Sequence, residues 1–289
     1  MRTSRRTRIL ARVVFYGGFV LVGLPLVFSE IMIRKYPPRP VSPARPPYQE
    51  TPLLSEGLRL RAWLALGRPE KPAVVITHGL GDSLDSYLDH ARIYLERGHT
   101  VLLVDLRAHG GSEGRHTTMG CRERADVLAA AAELQRRDLA RRGFLLEGHS
   151  MGAVAALLAA PDVTELRGVI VEAPYDSYRR TIAHHARLLY HLPEWVPLIP
   201  LAIAIAEWRA DFDADDCDAV AAAGRFDAPL FAIVDGLDPR MPETVVSRIA
   251  DAHGGATRIW VAEGVGHVGA IERSDYPAQI RAFLDQNGL

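Results

Sequence analysis

Ser150 stands between two glycines in Gly148-His149-Ser150-Met151-Gly152, after the apolar "FLL" and before the Ala-rich "AVAALLAA". A serine on a sharp strand-to-helix turn has its hydroxyl pushed into the open. Glycines two before and two after leave room for the crowding. The helix that follows also aims its first amides at any anion formed there. A hydroxyl is a weak nucleophile at neutral pH and needs a base. Among eleven histidines, His267 in "EGVGHVGAIE" lies just past a late strand-like run. His109 also follows a strand but precedes Ser150, and His253 closes a helical stretch at the wrong end of a sheet. The imidazole needs a carboxylate to fix its tautomer. Asp238 in "VDGLDPRMP" precedes a proline, which suits a loop apex, and is placed first. Asp235 is second, with Glu172 and Asp176 as the alternatives one strand earlier. An oxyanion would need two backbone donors: the amide of Met151, and that of Leu80, which Gly79 and Gly81 leave open to close approach. This set suits acyl transfer through a covalent acyl-serine and asks for no metal and no organic cofactor.

Such a set works only if separate elements bring it together. "AVVITHG" (73–79), "TVLLVDLR" (100–107), "GFLLEG" (143–148), "LRGVIVEAP" (166–174), "APLFAIVDG" (228–236) and "ATRIWVAEG" (256–264) read as short buried strands. Helical patterns over 84–97, 121–137, from 150, 243–252 and 276–287 alternate with them. This rhythm predicts an α/β fold with a doubly wound, mostly parallel sheet. In such sheets ligands bind beyond the carboxyl ends of the strands, where Leu80, Ser150, Asp238 and His267 all fall. "GLRLRAWLALG" (57–67) alternates and predicts an antiparallel edge strand. Residues 177–227 form a small helical cap, in which Glu194–Trp208 is too short and proline-rich to cross a bilayer. His184 and His185 there are read as surface residues. Glu147 is an unusual charge for a buried strand, and nothing in the sequence identifies its partner.

The N-terminus has its own character. Arg2, Arg5, Arg6, Arg8 and Arg12 precede an uncharged stretch from Val13 to Ser29. As a helix those residues span about 25 Å, and continuing to Ile33 gives about 31 Å, against a hydrocarbon core of about 30 Å. Residues 1–35 are therefore expected to form a transmembrane signal anchor with the body on the far side, toward the periplasm. Cleavage at Val27-Phe28-Ser29, releasing a chain that begins at Glu30, is the competing reading. Six prolines between Pro37 and Pro47 predict an extended spacer over 36–52, ahead of a domain at 53–289. Beyond residue 35 the chain carries 27 basic and 34 acidic residues, a poor balance for binding nucleic acid. Cys121 and Cys217 show no metal-ligand spacing and read as ordinary thiols; a disulfide requires export and a geometry the sequence does not show.

Taken in order, "THGLGDS", "DLRAHGGSEG", "LLEGHSMGA", "DGLDPRMP" and "EGVGHVG" resemble the α/β-hydrolase superfamily. The nearest likeness is to the serine aminopeptidase S33-like and monoglyceride-lipase-like bacterial members, over residues 53–287. The resemblance implies a Ser150–Asp238–His267 triad and a structural role for the segment from Asp105 to Ser112. It favours a membrane-anchored hydrolase acting on a small ester or thioester. An aminopeptidase of the same fold is the alternative, with Glu172 or Asp176 to hold a substrate amine. A catalytically silent, membrane-anchored binding protein is the rival of another class.

Overall fold

The computed structural model describes residues 5–36, 42–192 and 197–289. Two helices, α1 (Arg5–Gly18) and α2 (Leu24–Ile33), precede the short strands β1 (Gln49–Glu50), β2 (Leu53–Ser55), β3 (Leu58–Leu60) and β4 (Ala62–Ala65). The alternating part follows: β5 (Ala73–Thr77), α3 (Leu88–Glu96), β6 (Val101–Val104), α4 (Arg124–Arg136), β7 (Phe144–His149), α5 (Met151–Ala159) and β8 (Leu166–Glu172). The cap helices α6 (Tyr178–Tyr190) and α7 (Leu198–Ala210) interrupt it before α8 (Ala219–Ala223), β9 (Leu230–Asp235), α9 (Glu243–Ala252), β10 (Thr257–Ala262) and α10 (Tyr276–Gln286).

Eight strands form one sheet in the order β1-β4-β6-β5-β7-β8-β9-β10. The six from β6 to β10 in that order are parallel, while β4 and β1 are antiparallel additions at one edge. Every residue of β5, β7 and β9 is buried. Helices cover both faces, which is why these strands read as unbroken apolar runs. One core packs α4, α5, α8 and α9 against the sheet through Val75, Leu102, Leu146 and Ala232. The other packs α3 and α10 against Val74, Ile76, Leu103 and Phe231.

The structure departs from the sequence reading in four places here. The strand expected over 57–67 is broken at Arg61: β3 pairs with β2 in a separate ribbon, and β4 lies inside the sheet. Arg61 does not face solvent; its guanidinium pairs with Asp85 at 2.8 Å and Asp105 at 3.0 Å. Second, Cys121 and Cys217 form a disulfide, with Cα atoms 5.2 Å apart, because the loop entering α4 meets the turn after α7. Third, the expected spacer ends earlier than 52; part of it, 37–41, and the start of the expected apolar cap run, 194–196, lie outside the described residues. Gln49 and Glu50, inside the stretch read as spacer, already pair with Leu64 and Trp63.

The fourth concerns the N-terminal helix. Among the described residues no helix is long and apolar enough to cross a membrane. A π-helical turn over Phe19–Gly23 separates α1 from α2, although the backbone stays right-handed helical through Gly18 and Gly23. Arginines occupy the first half of α1, and α2 is only 10 residues long. Nor is α2 free on all sides, since Pro25, Ser29, Met32 and Ile33 are buried against the body. Met32 and Ile33 join a third core with Tyr178, Ile182, Ala202 and Ile203 of the cap.

Candidate active site

The turn from β7 into α5 is made by close backbone approach. A Cβ on Gly148 would lie 2.3 Å from the carbonyl oxygen of Gly152, and one on Gly152 would lie 2.6 Å from those of Thr77 and His78. No other residue type fits either position. Between them Ser150 adopts φ 50° and ψ −113°, in the left-handed half of backbone space that costs a non-glycine residue about 1–3 kcal/mol. The turn is held by the Ser150 amide, which donates to Glu172 O at 2.9 Å, and by Thr77 Oγ1, which donates to Gly152 O at 3.1 Å.

The structure brings Ser150, His267 and Asp238 into one chain of hydrogen bonds. His267 Nδ1 lies 2.5 Å from Asp238 Oδ2, and Nε2 lies 2.9 Å from Ser150 Oγ. A carboxylate only accepts, so Nδ1 carries the proton and Nε2 is free to accept from the hydroxyl. Burial alone would raise the Asp238 carboxyl. The hydrogen bond and charge of His267, with help from Arg240, outweigh it and hold the group below the usual carboxylate range. The Arg240 amide donates to Asp238 Oδ1 at 2.9 Å and fixes the carboxylate plane.

Asp235, the second choice for the acid, does something else. Its Oδ2 accepts from the amide of Val268 at 2.6 Å, which anchors the loop carrying His267. Burial, and then the charge of Glu172, push Asp235 up to about 8, which favours the neutral carboxylic acid at pH 7. Glu172 lies behind the turn, where it accepts from the amide of Ala270 at 2.9 Å and from His149 Nδ1 at 2.8 Å. Asp176 pairs with Arg180 and Arg248. Neither Glu172 nor Asp176 reaches the cavity at Ser150.

Glu147 gains one partner from its own strand and two from elements remote in sequence. His149 Nε2 lies 2.9 Å and His90 Nδ1 3.0 Å from its Oε1, with the Tyr276 hydroxyl beyond. Burial opposes the charge, but the two imidazoles prevail and hold Glu147 well below its ordinary value. His149 is correspondingly raised to about 9, its burial overcome by hydrogen bonds to Glu147 and Glu172. This buried network ties α3, β7, β8, α10 and the His267 loop together directly beneath Ser150.

Ser150 and His267 open into a cavity of about 580 Å³, ordinary for a small-molecule site. Leu80 and Met151 line it beside Ser150, and a Cβ on Gly79 would sit 3.5 Å from that of Ser150. Met151 opens α5, where the first amides have no partner within the helix. Met119, Tyr175, Ile182 and Leu189 make the lining largely apolar. His185, read from sequence as a surface residue, lines this cavity instead, and its Nε2 has no hydrogen-bond partner among the described residues. Burial, then the charges of His184, Arg240 and His267, push it down to about 4. The signal was present: His185 falls on the same helical stripe as Ile182 and Leu189. His184 is half-buried, and its Nε2 lies 2.9 Å from Pro239 O.

The rejected histidines lie elsewhere. His109 is buried, accepts no role at Ser150 and is pushed down to about 4, first by burial. His253 bonds Thr257 at the foot of the sheet. Around His109, Asp105 accepts from Arg61 and from the amides of Leu84 and Gly111, and Arg107 pairs with Asp126. The segment from Asp105 to Ser112 is thus a buried scaffold.

A mostly parallel sheet with antiparallel strands at one edge, a strained serine turn after a central strand and a cap inserted before β9 define an α/β hydrolase. Within that class the chain belongs to the family described as serine aminopeptidase, S33, whose model matches residues 68–211. The uncharacterized Bacillus subtilis protein YqkD is 28% identical over 218 residues, 73% of this chain and 70% of that one. Human monoglyceride lipase is 32% identical over 140 residues, 46% of each chain. The Pyrococcus furiosus esterase Pf2001 superposes with a TM-score of 0.69 at 23% identity, covering 86% of this chain and 98% of that one.

Proposed function

We propose that this hydrolase cleaves carboxylic esters or thioesters through an acyl-enzyme. The observation that carries the reading is the unbroken relay from Ser150 Oγ through His267 to Asp238 at the floor of an apolar cavity. In the proposed reaction Ser150 Oγ attacks the acyl carbon while His267 Nε2 takes its proton. The amides of Leu80 and Met151 face the oxyanion, and losing one such donor typically costs about a hundred- to a thousandfold in rate. His267 then protonates the departing alkoxide, and a water activated by the same imidazole frees the acid. Asp238 keeps the proton on Nδ1 and stabilises the imidazolium. The esterase and lipase named among the relatives support an ester substrate.

The family description favours a second reading, an aminopeptidase. That chemistry needs an acid in the cavity for the substrate amine, and the two acids expected to supply it, Glu172 and Asp176, are committed elsewhere. Turnover of p-nitrophenyl esters against aminoacyl anilides separates the readings. Ester turnover at least a hundredfold faster is expected, and the reverse preference would replace the esterase with a peptidase.

Although none of the described helices is by itself long and apolar enough to cross a membrane, the exposed apolar surface of α1 and of the turn after it is read as the membrane attachment, with the catalytic domain outside the cytoplasm. Val14, Phe15, Tyr16, Phe19, Val20 and Val22 are each more than half exposed, apolar surface that needs a cover. The Cys121–Cys217 disulfide belongs to an oxidising compartment. The full chain should stay with membranes through an alkaline carbonate wash; release into the wash would remove the anchor.

A further inference from the structure

The N-terminal helix does more than sit beside the cap. Phe28, Ile31 and Met32 of α2, with Tyr36 just beyond it, line the same cavity as Ser150 and His267. We propose that this segment is a fixed wall of the substrate site, and that Phe28 and Ile31 set which acyl chain it accepts. The inference rests on the hydrolase reading and adds the part of the site that chooses the acyl group.

Three kinds of contact hold the wall in place. Its backbone is pinned: the Thr117 amide donates to Ile33 O at 3.0 Å, and the Tyr36 amide donates to Ala108 O at 3.2 Å. Its polar side chains are tied to α7, where Arg209 donates to Ser29 Oγ at 3.2 Å and pairs with Glu30 at 2.5 Å. Its apolar face is packed. Ile33 is fully buried, the Phe28 ring meets that of Tyr190 edge-on at 5.1 Å, and Tyr36 stacks on His109 at 5.2 Å. Tyr36 also occupies the space a side chain at Gly81 would need, so the loop carrying Leu80 is shaped to receive it. The loop beneath the wall, through Met119 and Cys121, is bound to the cap by the disulfide.

The chemistry of the wall identifies its occupant. Phe28, Ile31 and Met32 offer no hydrogen-bonding groups, and they line the cavity together with the apolar cap residues Ile182, Leu189 and Ile199. An apolar lining beside a serine hydroxyl fits an unbranched acyl chain, held by contact area alone. A chain cut after Ser29 would lose Phe28 and the Ser29 tie to Arg209. The wall therefore requires the mature chain to begin before Phe28.

The test uses full-length protein in detergent, with p-nitrophenyl esters from acetate to dodecanoate. Ile31→Trp should narrow the cavity and lower kcat/KM for dodecanoate at least tenfold more than that for acetate. Phe28→Ala should move the preference toward longer chains. Leu54→Ala, on exposed β2, is the control for handling. Labelling by a small ethyl fluorophosphonate, read in parallel, reports Ser150 independently of chain length. If wild type and both variants label normally but share one chain-length profile within twofold, the wall does not select substrate and the inference falls while the hydrolase stands. If wild type neither labels nor turns over any ester, the hydrolase reading fails and the inference goes with it.

Discussion

Asp235 and Asp238 are three residues apart, yet the structure gives them opposite electrical states. Asp238 faces His267 and is held ionised; Asp235 faces Glu172 and is held neutral. Replacing Asp238 by Asn removes the acceptor that keeps the proton on Nδ1, and should lower kcat/KM by about ten-thousandfold. Asp235→Asn keeps an acceptor for Val268 and stays neutral beside Glu172, so it should retain activity within tenfold. The opposite ranking would exchange their roles. Stability should report the same difference. His149 holds its proton to about 9 and Asp235 to about 8, whereas the unfolded chain releases them near about 6.5 and 3.9. The folded state therefore binds more protons between those limits, and stability falls as pH rises through them. The His149 contribution is whole below about pH 6.5 and lost through about 9. Urea midpoints should drop between pH 6 and pH 9, and Asp235→Asn should shrink the drop. A flat profile in wild type would deny the shifts.

At the scale of elements, the sequence made the parallel strands and the serine turn readable. Buried parallel strands carry unbroken apolar runs, and glycines at 148 and 152 mark a backbone approach that admits nothing larger. The acid stayed open between two aspartates because Asp235 ends β9, Asp238 follows it at once, and only the path of the loop distinguishes them. The disulfide was invisible for a related reason: 96 residues separate its cysteines, and only the packing of α7 over the loop into α4 brings them together. Besides His149 on its own strand, Glu147 found partners in α3 and α10, contacts no local pattern contains. The disulfide makes its own prediction. Cys121→Ser with Cys217→Ser frees the cap from the loop beneath it and should cost about 2–4 kcal/mol, read as a lower urea midpoint. A midpoint unchanged from the oxidised wild type would mean the bridge constrains little.

Seen whole, the molecule is a sheet whose carboxyl edge carries Ser150, Asp238 and His267, roofed by the cap and the N-terminal helix, to which the proposal assigns substrate choice. The sequence reading separated the N-terminal helix from the domain because its hydropathy matched a lipid-facing segment. Hydropathy cannot show that one face of that helix, through Ser29, Met32 and Ile33, has a protein partner. The same blindness placed His185 at the surface, since a polar residue on an otherwise apolar helical stripe looks exposed until the cavity beneath it is seen. The proposed catalytic floor and selective roof thus come from opposite ends of the chain, with His267 late and Phe28 early.

The central claim is that Ser150 is a nucleophile activated by His267. The most direct measurement is to treat the full-length protein with a fluorophosphonate and locate the adduct by peptide mass spectrometry. One adduct on Ser150 is expected, absent in Ser150→Ala and formed at least a thousandfold more slowly in His267→Ala. Equal labelling of wild type and Ser150→Ala, or an adduct on another residue, would contradict it.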